Sequence, residues 1–497
     1  MKSEWCSALV CFRKIFKLFH SSIQNHQFKI INQQSTINNQ QSTIPNPQSP
    51  SMSSTGLKRE LSLVQATAIN MIDMVGIGPF IVLPLVIKMI GGPHFIFAWI
   101  VGAVISLVDG MVWAELGAAY PKAGGSYNFL KEAYGKKGGK MLSFLYVWQT
   151  LIQAPLVAAS GAIGFSQYCT YLYPFTPLQQ KMLSGGIVLL LVFLLYRKIE
   201  TIGKISVMLW VAVLVTISWM IFGGITSHTI SNNWIPDNHS DLFSSLFFVA
   251  LGQASVKTIY SYLGYYNVCH LGGEIRNPGR NIPRSIFISV FGIAFLYLAM
   301  NISVVSVIPW QEAQNSSFIV STFIEKIYGH QAAVIATGLV LLVAFSSLFA
   351  VLLGYSRIPY AAAVDGQFFP VFAKLHPTKN FPHISLLFLG GAAFIFSLLF
   401  KLSDVISAIL AMRILVQFIG QAIGVVLLRK RNGTAHLPYK MVLYPLPVVL
   451  AILIWIFIFV STGWKFVLSG LTVISLGIIV YLLMPAFGKK NNSGEVR

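Results

Sequence analysis

Long apolar runs, interrupted at intervals by short polar clusters, dominate the chain from about residue 62 to residue 485. A helix that crosses a bilayer needs about 20 mostly apolar residues. Segments of that kind fall at 62–88, 94–119, 141–172, 182–197, 204–224, 242–272, 285–308, 331–355, 384–401, 405–428, 442–462 and 465–485. The pattern therefore predicts an all-α polytopic membrane protein with twelve transmembrane helices. The ninth and tenth segments are separated only by Lys401 to Asp404, and the first and sixth are long and internally interrupted. Residues 1–56 read differently. Ser21 to Ser54 is rich in Gln, Asn, Ser and Pro and is expected to be disordered. Residues 1–19 lack the uninterrupted apolar stretch of a signal peptide, and an amphipathic surface helix over 5–19 is the alternative. Met52 is a second candidate start. The expected organisation is a tail to residue 56, a core over 57–430, two further helices over 431–485 and a tail over 486–497.

Composition agrees. The 497 residues are 55% apolar and 10% charged, with a mean hydropathy of +0.70. Soluble chains are about 25% charged, so a soluble enzyme of ordinary type is excluded. The net charge of +20 comes from 35 basic against 15 acidic side chains. In a soluble protein this would suggest nucleic acid, but here the bases cluster between apolar runs, where they set membrane orientation. Loops on one side carry 23 Lys and Arg, including Lys136, Lys137, Arg429, Lys430 and Arg431, whereas the other side carries 5. Twelve spans with this bias place both termini in the cytoplasm of a cell-membrane protein. Cys6, Cys11, Cys169 and Cys269 have no metal-type spacing, and neither a metal nor a cofactor is expected.

Two segments carry features that a plain spanning helix would avoid. The first contains Gly76-Ile77-Gly78-Pro79 at mid-membrane, and unwinding is expected near 76–79. Unwound backbone at that depth is tolerated only against protein or a wet cavity, and the amides of a half-helix N-terminus attract a carboxylate. The sixth places Gly264 among Tyr260, Ser261, Tyr262, Tyr265 and Tyr266. The sixth segment follows a block of five, so a second block of five would be inverted. Interrupted helices at equivalent places in inverted halves point to a secondary-transporter binding site.

Four motifs add to this: Gly76 to Phe80; Ala114-Glu115 through Pro121 to Tyr127; Glu274-Ile275-Arg276-Asn277-Pro278 through Arg284; and Arg357 through Asp365-Gly366 to Pro370. In this order the chain, over about residues 57–485, resembles the amino acid permeases of the amino acid–polyamine–organocation superfamily. The resemblance implies a five-plus-five inverted repeat with broken helices 1 and 6, two extra C-terminal helices, and substrate held between helices 1, 3, 6 and 8. Substrate-binding positions implied or read from the breaks are Gly76, Ile77, Gly78, Tyr260, Ser261 and Gly264, with Tyr260 as an aromatic gate. Ile77 and Pro79 depart from the family pattern. No lysine falls between Ile205 and Gly224, where some members carry a proton-linked one.

The remaining polar residues give further candidates. Lys257 and Asp73, each three residues before a break, are the coupling candidates, with protons as the coupling ion. Glu115 is a candidate inner-gate residue, and Glu274 with Arg276 and Arg280 a candidate latch. Arg413, Gln417 and Gln421 form one polar stripe, for which a structural tie is favoured over a place on the route. Asp109 has no evident partner. An amino acid is the favoured substrate. A polyamine would need acids, yet none lies between Leu242 and Leu271. A transport-inactive nutrient sensor is the other alternative. A membrane enzyme lacks its constellation and an ATP-driven pump its phosphate loop.

Overall fold

The computed structural model describes residues 57–227, 244–400 and 402–488. The N-terminal tail expected over 1–56 lies outside the described residues, as do 489–497 of the expected C-terminal tail. Among the described residues the secondary structure is helical, with two isolated bridges, Leu61–Ile275 and Ala123–Leu271.

Helices occupy all twelve apolar segments. The first segment forms α1 (Leu63–Met74) and α2 (Gly78–Ile90), followed by α3 (Ile96–Ala119), α4 (Ser126–Ala133), α5 (Lys140–Cys169), α6 (Pro177–Leu195) and α7 (Ile199–Thr226). The sixth segment forms α8 (Ser245–Tyr262) and the short α9 (Asn267–His270). Then come α10 (Pro278–Val307), α11 (Ile319–Tyr328), α12 (His330–Tyr355), α13 (Arg357–Val364), α14 (His383–Leu399), α15 (Leu402–Arg413), α16 (Gly420–Asn432), α17 (Leu446–Ser461) and α18 (Trp464–Gly488). Local signals start several of them. Ser62 and Gln65 cap α1 reciprocally, Thr176 and Gln179 do so for α6, and the Ser244 hydroxyl accepts from the Phe247 amide at the start of α8.

By length and composition alone, fewer than twelve helices qualify as spans. Among the described residues eight helices are long and apolar enough to cross a bilayer, and nine when the bent pair α1–α2 counts as one. The shortfall has a physical cause. At 1.5 Å per residue, the 17 residues of α14 and the 16 of α17 fall short of a hydrocarbon core about 30 Å thick, and α8 carries Lys257 and several hydroxyls among its apolar residues. The outer surface is nonetheless apolar: Phe222, Phe295, Leu399, Val460 and Leu482 are each 67–70% exposed. Such a surface suits lipid rather than water. The protein is a multi-pass membrane protein.

The two interrupted helices cross at their interruptions. Helix α1 ends at Met74, Val75 to Ile77 leave the helix, and α2 departs at 42°. The unwinding thus falls one or two residues before the expected 76–79. Gly78 and Pro79 instead open α2, where a proline costs no hydrogen bond because first-turn amides have no intrahelical partner. Helix α8 ends at Tyr262, and four non-helical residues lead to α9. Gly264 lies here at φ 129°, and a Cβ added to it would stand 2.7 Å from the Met74 nitrogen. Only glycine permits both that backbone conformation and that approach. Tyr297 on α10 serves both breaks, its hydroxyl lying within donating distance of the Met74 carbonyl (2.8 Å) and the Ser261 carbonyl (3.1 Å). The Asn70 carbonyl oxygen accepts from the Val268 amide at 2.8 Å, so the side chains of neighbouring helices satisfy backbone groups that the breaks release.

Candidate functional site

A cavity of about 50 Å³ lies where the breaks meet. That is room for roughly three to five water molecules, or a small solute. The first break contributes Asp73, Gly76, Ile77 and Gly78, and the second Tyr260, Ser261 and Tyr266. Val157 and Gly161 of α5, Ser347, Leu348 and Tyr355 of α12, and Ile409 and Arg413 of α15 complete most of the wall. Of the six expected substrate positions, five line this space. Gly264 sits behind the wall, against Asp73 and Met74.

One side of the cavity is the N-terminus of α2, which has no side-chain cap. Its first-turn amides therefore lack an intrahelical partner, and the helix dipole makes this end attractive to an anion. Gly76 is held close to α12: an added Cβ would meet the Ser347 oxygen at 2.6 Å, and the Ser347 hydroxyl donates to the Asp73 carbonyl at 3.2 Å.

Tyr260 stands against Gly78, with a Cβ there 3.2 Å from its ring. The Ser160 hydroxyl donates to the Val157 carbonyl at 2.7 Å, which leaves its oxygen to accept from the Tyr260 hydroxyl, also at 2.7 Å. The ring is thus tied across the cavity to α5. If this ring covers a bound ammonium group, its loss removes about 0.5–2 kcal/mol of cation–π attraction as well as apolar contact. Tyr260→Ala should raise the substrate Kd about tenfold or more. Tyr260→Phe and Ser160→Ala should each have a smaller effect, and the double variant should be no worse than either, because all three remove the same bond. Equal damage from Tyr260→Phe and Tyr260→Ala, read by isothermal titration, would assign the effect to the hydroxyl instead of the ring.

Arg413, for which the sequence favours a structural tie, both ties its helix to neighbours and reaches the cavity. Its side chain is 1% exposed and reaches the cavity wall. The guanidinium donates through Nε to the Gln417 carbonyl oxygen at 3.0 Å and through Nη2 to the Tyr266 hydroxyl. It also faces the rings of Tyr266 at 5.0 Å, Phe418 at 5.3 Å and Tyr355 at 5.7 Å. Gln417 in turn donates to the Ser126 hydroxyl at 3.3 Å. Directly after Arg413 the helix widens into a π-helical stretch, Ile414–Ile419, a local form that recurs at functional sites. An ionised residue in an apolar segment was the available signal. Ser160, Ser347 and Tyr355, which also shape the site, carried none.

Of the two coupling candidates, Asp73 lines the cavity and Lys257 is not part of its lining. The Lys257 ammonium donates to Ser407 on α15 at 3.1 Å, and Asp73 lines the cavity together with Arg413. Asp109, without an evident partner in sequence, accepts from the Tyr265 hydroxyl at 2.5 Å and the Trp455 indole at 3.1 Å, joining α3 to the second break and to α17.

The inner-gate candidates pair differently from the expectation. Glu274 is 1% exposed and receives a two-pronged bond from Arg357, at 3.0 and 2.9 Å, instead of from Arg276 or Arg280. The cause is local: Glu274 closes a short helical turn and its carboxylate is buried, whereas Arg276 lies in a bend just after the Leu61–Ile275 bridge with its side chain exposed. Glu115 is likewise paired, accepting from Arg429 Nε at 2.7 Å and from the Met441 amide at 2.7 Å. Lys131 meets Asp365 at 2.5 Å. These three pairs tie α3, α4 and the α9–α10 loop to α16, to Asp365 just after α13 and to α13, respectively, on the basic side of the molecule. The pairs of Glu274 and Glu115 are buried, and removing one partner of such a pair is costly even though the pair itself contributes little net stability. Lys131–Asp365 is about one third exposed and is worth less.

Among the described residues, an all-helical multi-pass arrangement with a small cavity, lined by polar and apolar side chains, at crossed helix breaks matches the broken-helix architecture of secondary transporters. The chain belongs to the amino acid permease family, which it matches over residues 61–485. Among its relatives is the serine/threonine exchanger SteT of Bacillus subtilis, 26% identical over 82% of this chain and 92% of that protein. The large neutral amino acids transporter small subunit 2 of Homo sapiens is 27% identical over 88% of this chain and 83% of its own length. Cationic amino acid transporter 4 of Homo sapiens is 25% identical over 77% of this chain and 62% of its own length.

Proposed function

We propose that the protein is a secondary active transporter that moves an amino acid across the cell membrane by alternating access. The observation that carries this reading is the cavity itself. It offers an uncapped helix N-terminus and a buried guanidinium, both attractive to a carboxylate, together with a carboxylate and an aromatic ring, both attractive to an ammonium group. A polyamine fits this less well, because Arg413 is a fixed cation in the wall. In this reading the chain has twelve spans in a five-plus-five inverted repeat, and the loop bases place both termini in the cytoplasm. The relatives named above differ in side-chain preference, so the shared element is the amino acid backbone.

Counterflow in proteoliposomes loaded with single amino acids tests the proposal. Saturable exchange of at least one amino acid, and none of putrescine or spermidine, is the expected result. Binding without flux would make the protein a nutrient sensor, and exchange of the amines alone would make it a polyamine carrier.

Proton-coupled symport or exchange is proposed to run through Lys257, with Asp73 as partner. Lys257→Met and Lys257→Gln should abolish accumulation driven by an imposed pH gradient while exchange persists. Wild-type accumulation by both variants would remove Lys257 from the coupling path.

A further inference from the structure

Away from the cavity, at the basic end of the molecule, a groove of about 860 Å³ opens on the surface. The first turns of α10, the first residue of α1 and the segment before α17 form it, with Arg280, Arg284, Phe287, Ile288, Pro438 and Tyr439 in its lining. Arg280 and Arg284 lie one turn apart and are exposed. Among the described residues neither meets a carboxylate within 4.0 Å, unlike Arg357 and Arg429. They sit beside the N-terminus of a 30-residue helix that has no acid in its first turn, so the helix dipole adds to their positive charge. Two cations beside a positive helix end, with no carboxylate near either, make this mouth attractive to an anion.

The same helix face continues as an apolar strip. Ile288 is 49%, Phe291 60% and Phe295 70% exposed, and these residues follow Arg284 at helical spacing down α10. Two bases at the mouth and a lipid-facing apolar strip below them match a phosphate headgroup joined to acyl chains. We propose that this groove binds one anionic glycerophospholipid, its phosphate held by Arg280 and Arg284 and its chains laid along Ile288, Phe291 and Phe295. Arginine suits a phosphodiester because its planar fork gives two parallel charge-assisted bonds, and basic pockets at the cytoplasmic membrane surface are suited to such headgroups.

Native mass spectrometry of the purified full-length protein tests this. The probes are phosphatidylglycerol and phosphatidylcholine of identical chains. Wild type should retain one phosphatidylglycerol in preference to phosphatidylcholine. Arg280→Gln/Arg284→Gln should lose that preference by roughly tenfold to thirtyfold, and each single change should lose part of it, which keeps the test open if the double variant fails to fold. Lys136→Gln/Lys137→Gln, with the same change in net charge elsewhere on the basic side, should retain it. Equal retention of both lipids by wild type would overturn the proposal. So would a preference that survives loss of both arginines, or one that the Lys136/Lys137 control loses equally.

Discussion

Valine at Gly78 should abolish substrate binding while the protein still expresses, inserts and runs as a single species. A Cβ there would meet the Tyr260 ring at 3.2 Å and the Ser261 oxygen at 3.5 Å, close but not prohibitive contacts. The two γ-methyls have restricted rotamers in a helix, and they must occupy cavity space or push the Tyr260 ring aside. The cavity is only about 50 Å³, so little room for substrate would remain. The methyls would also screen the open amides of α2. Gly264→Ala provides the contrast. Its Cβ would strike backbone, at 2.7 Å from Met74 N and 2.8 Å from the Asp73 carbonyl carbon, at a φ of 129° that alanine does not favour. That change should destroy folding. Thermal-shift titration with the transported amino acid separates the cases. Loss of the folded species in both variants would mean that both glycines serve the helix crossing alone, and a normal ligand shift in Gly78→Val would remove α2 from the binding site.

The different roles of these two glycines were only partly legible in sequence. A long apolar run announces a helix, so helices lie at all twelve expected segments, although among the described residues only eight or nine of them are long and apolar enough to span a bilayer, and a glycine among tyrosines marked the second break. Pro79 misled the placement of the first. Read as a helix breaker it centres the unwinding on 76–79, but as a first-turn residue it begins the second half, and Val75 to Ile77 form the break. Apolar character also does not measure helix length, which is why α14 and α17 fall short of a full span by the length criterion. The pairs on the basic side were out of reach for another reason. Helical periodicity relates residues three or four apart, whereas Glu274 meets a residue 83 positions away and Glu115 one 314 positions away. Sequence proximity suggested Arg276 for Glu274, and the turn at Glu274 points the carboxylate elsewhere. The polar stripe of Arg413, Gln417 and Gln421 was visible, and within it Arg413 donates to the Gln417 side chain. What spacing could not show is that the same guanidinium extends to Tyr266 and the cavity.

Arg413→Gln tests whether that extension matters to substrate. If Arg413 only ties α15 to its neighbours, the change affects stability and leaves selectivity alone. Removing the guanidinium leaves the buried Gln417 and Tyr266 oxygens short of a donor, at about 1–3 kcal/mol for each, so a fall in Tm is expected under either role and decides nothing. The discriminating quantity is the affinity for an amino acid relative to its decarboxylated amine. In the wild type both a guanidinium and an aspartate line the cavity, and the amine should be rejected because it offers the fixed cation no carboxylate. With glutamine the charge is gone while Asp73 stays. The amino acid should then bind at least tenfold more weakly, and the amine, meeting only Asp73, should gain, so that the ratio of the two affinities falls by a hundredfold or more. Arg413→Lys should not restore it. A lysine keeps the charge but loses the planar fork and the stacking on the rings of Tyr266 and Phe418. Competition binding on detergent-solubilised protein gives the ratio directly and does not depend on how much of each variant survives purification. An unchanged ratio in Arg413→Gln, accompanied by a lowered Tm, would return Arg413 to a purely structural tie and leave the α2 amides as the carboxylate site.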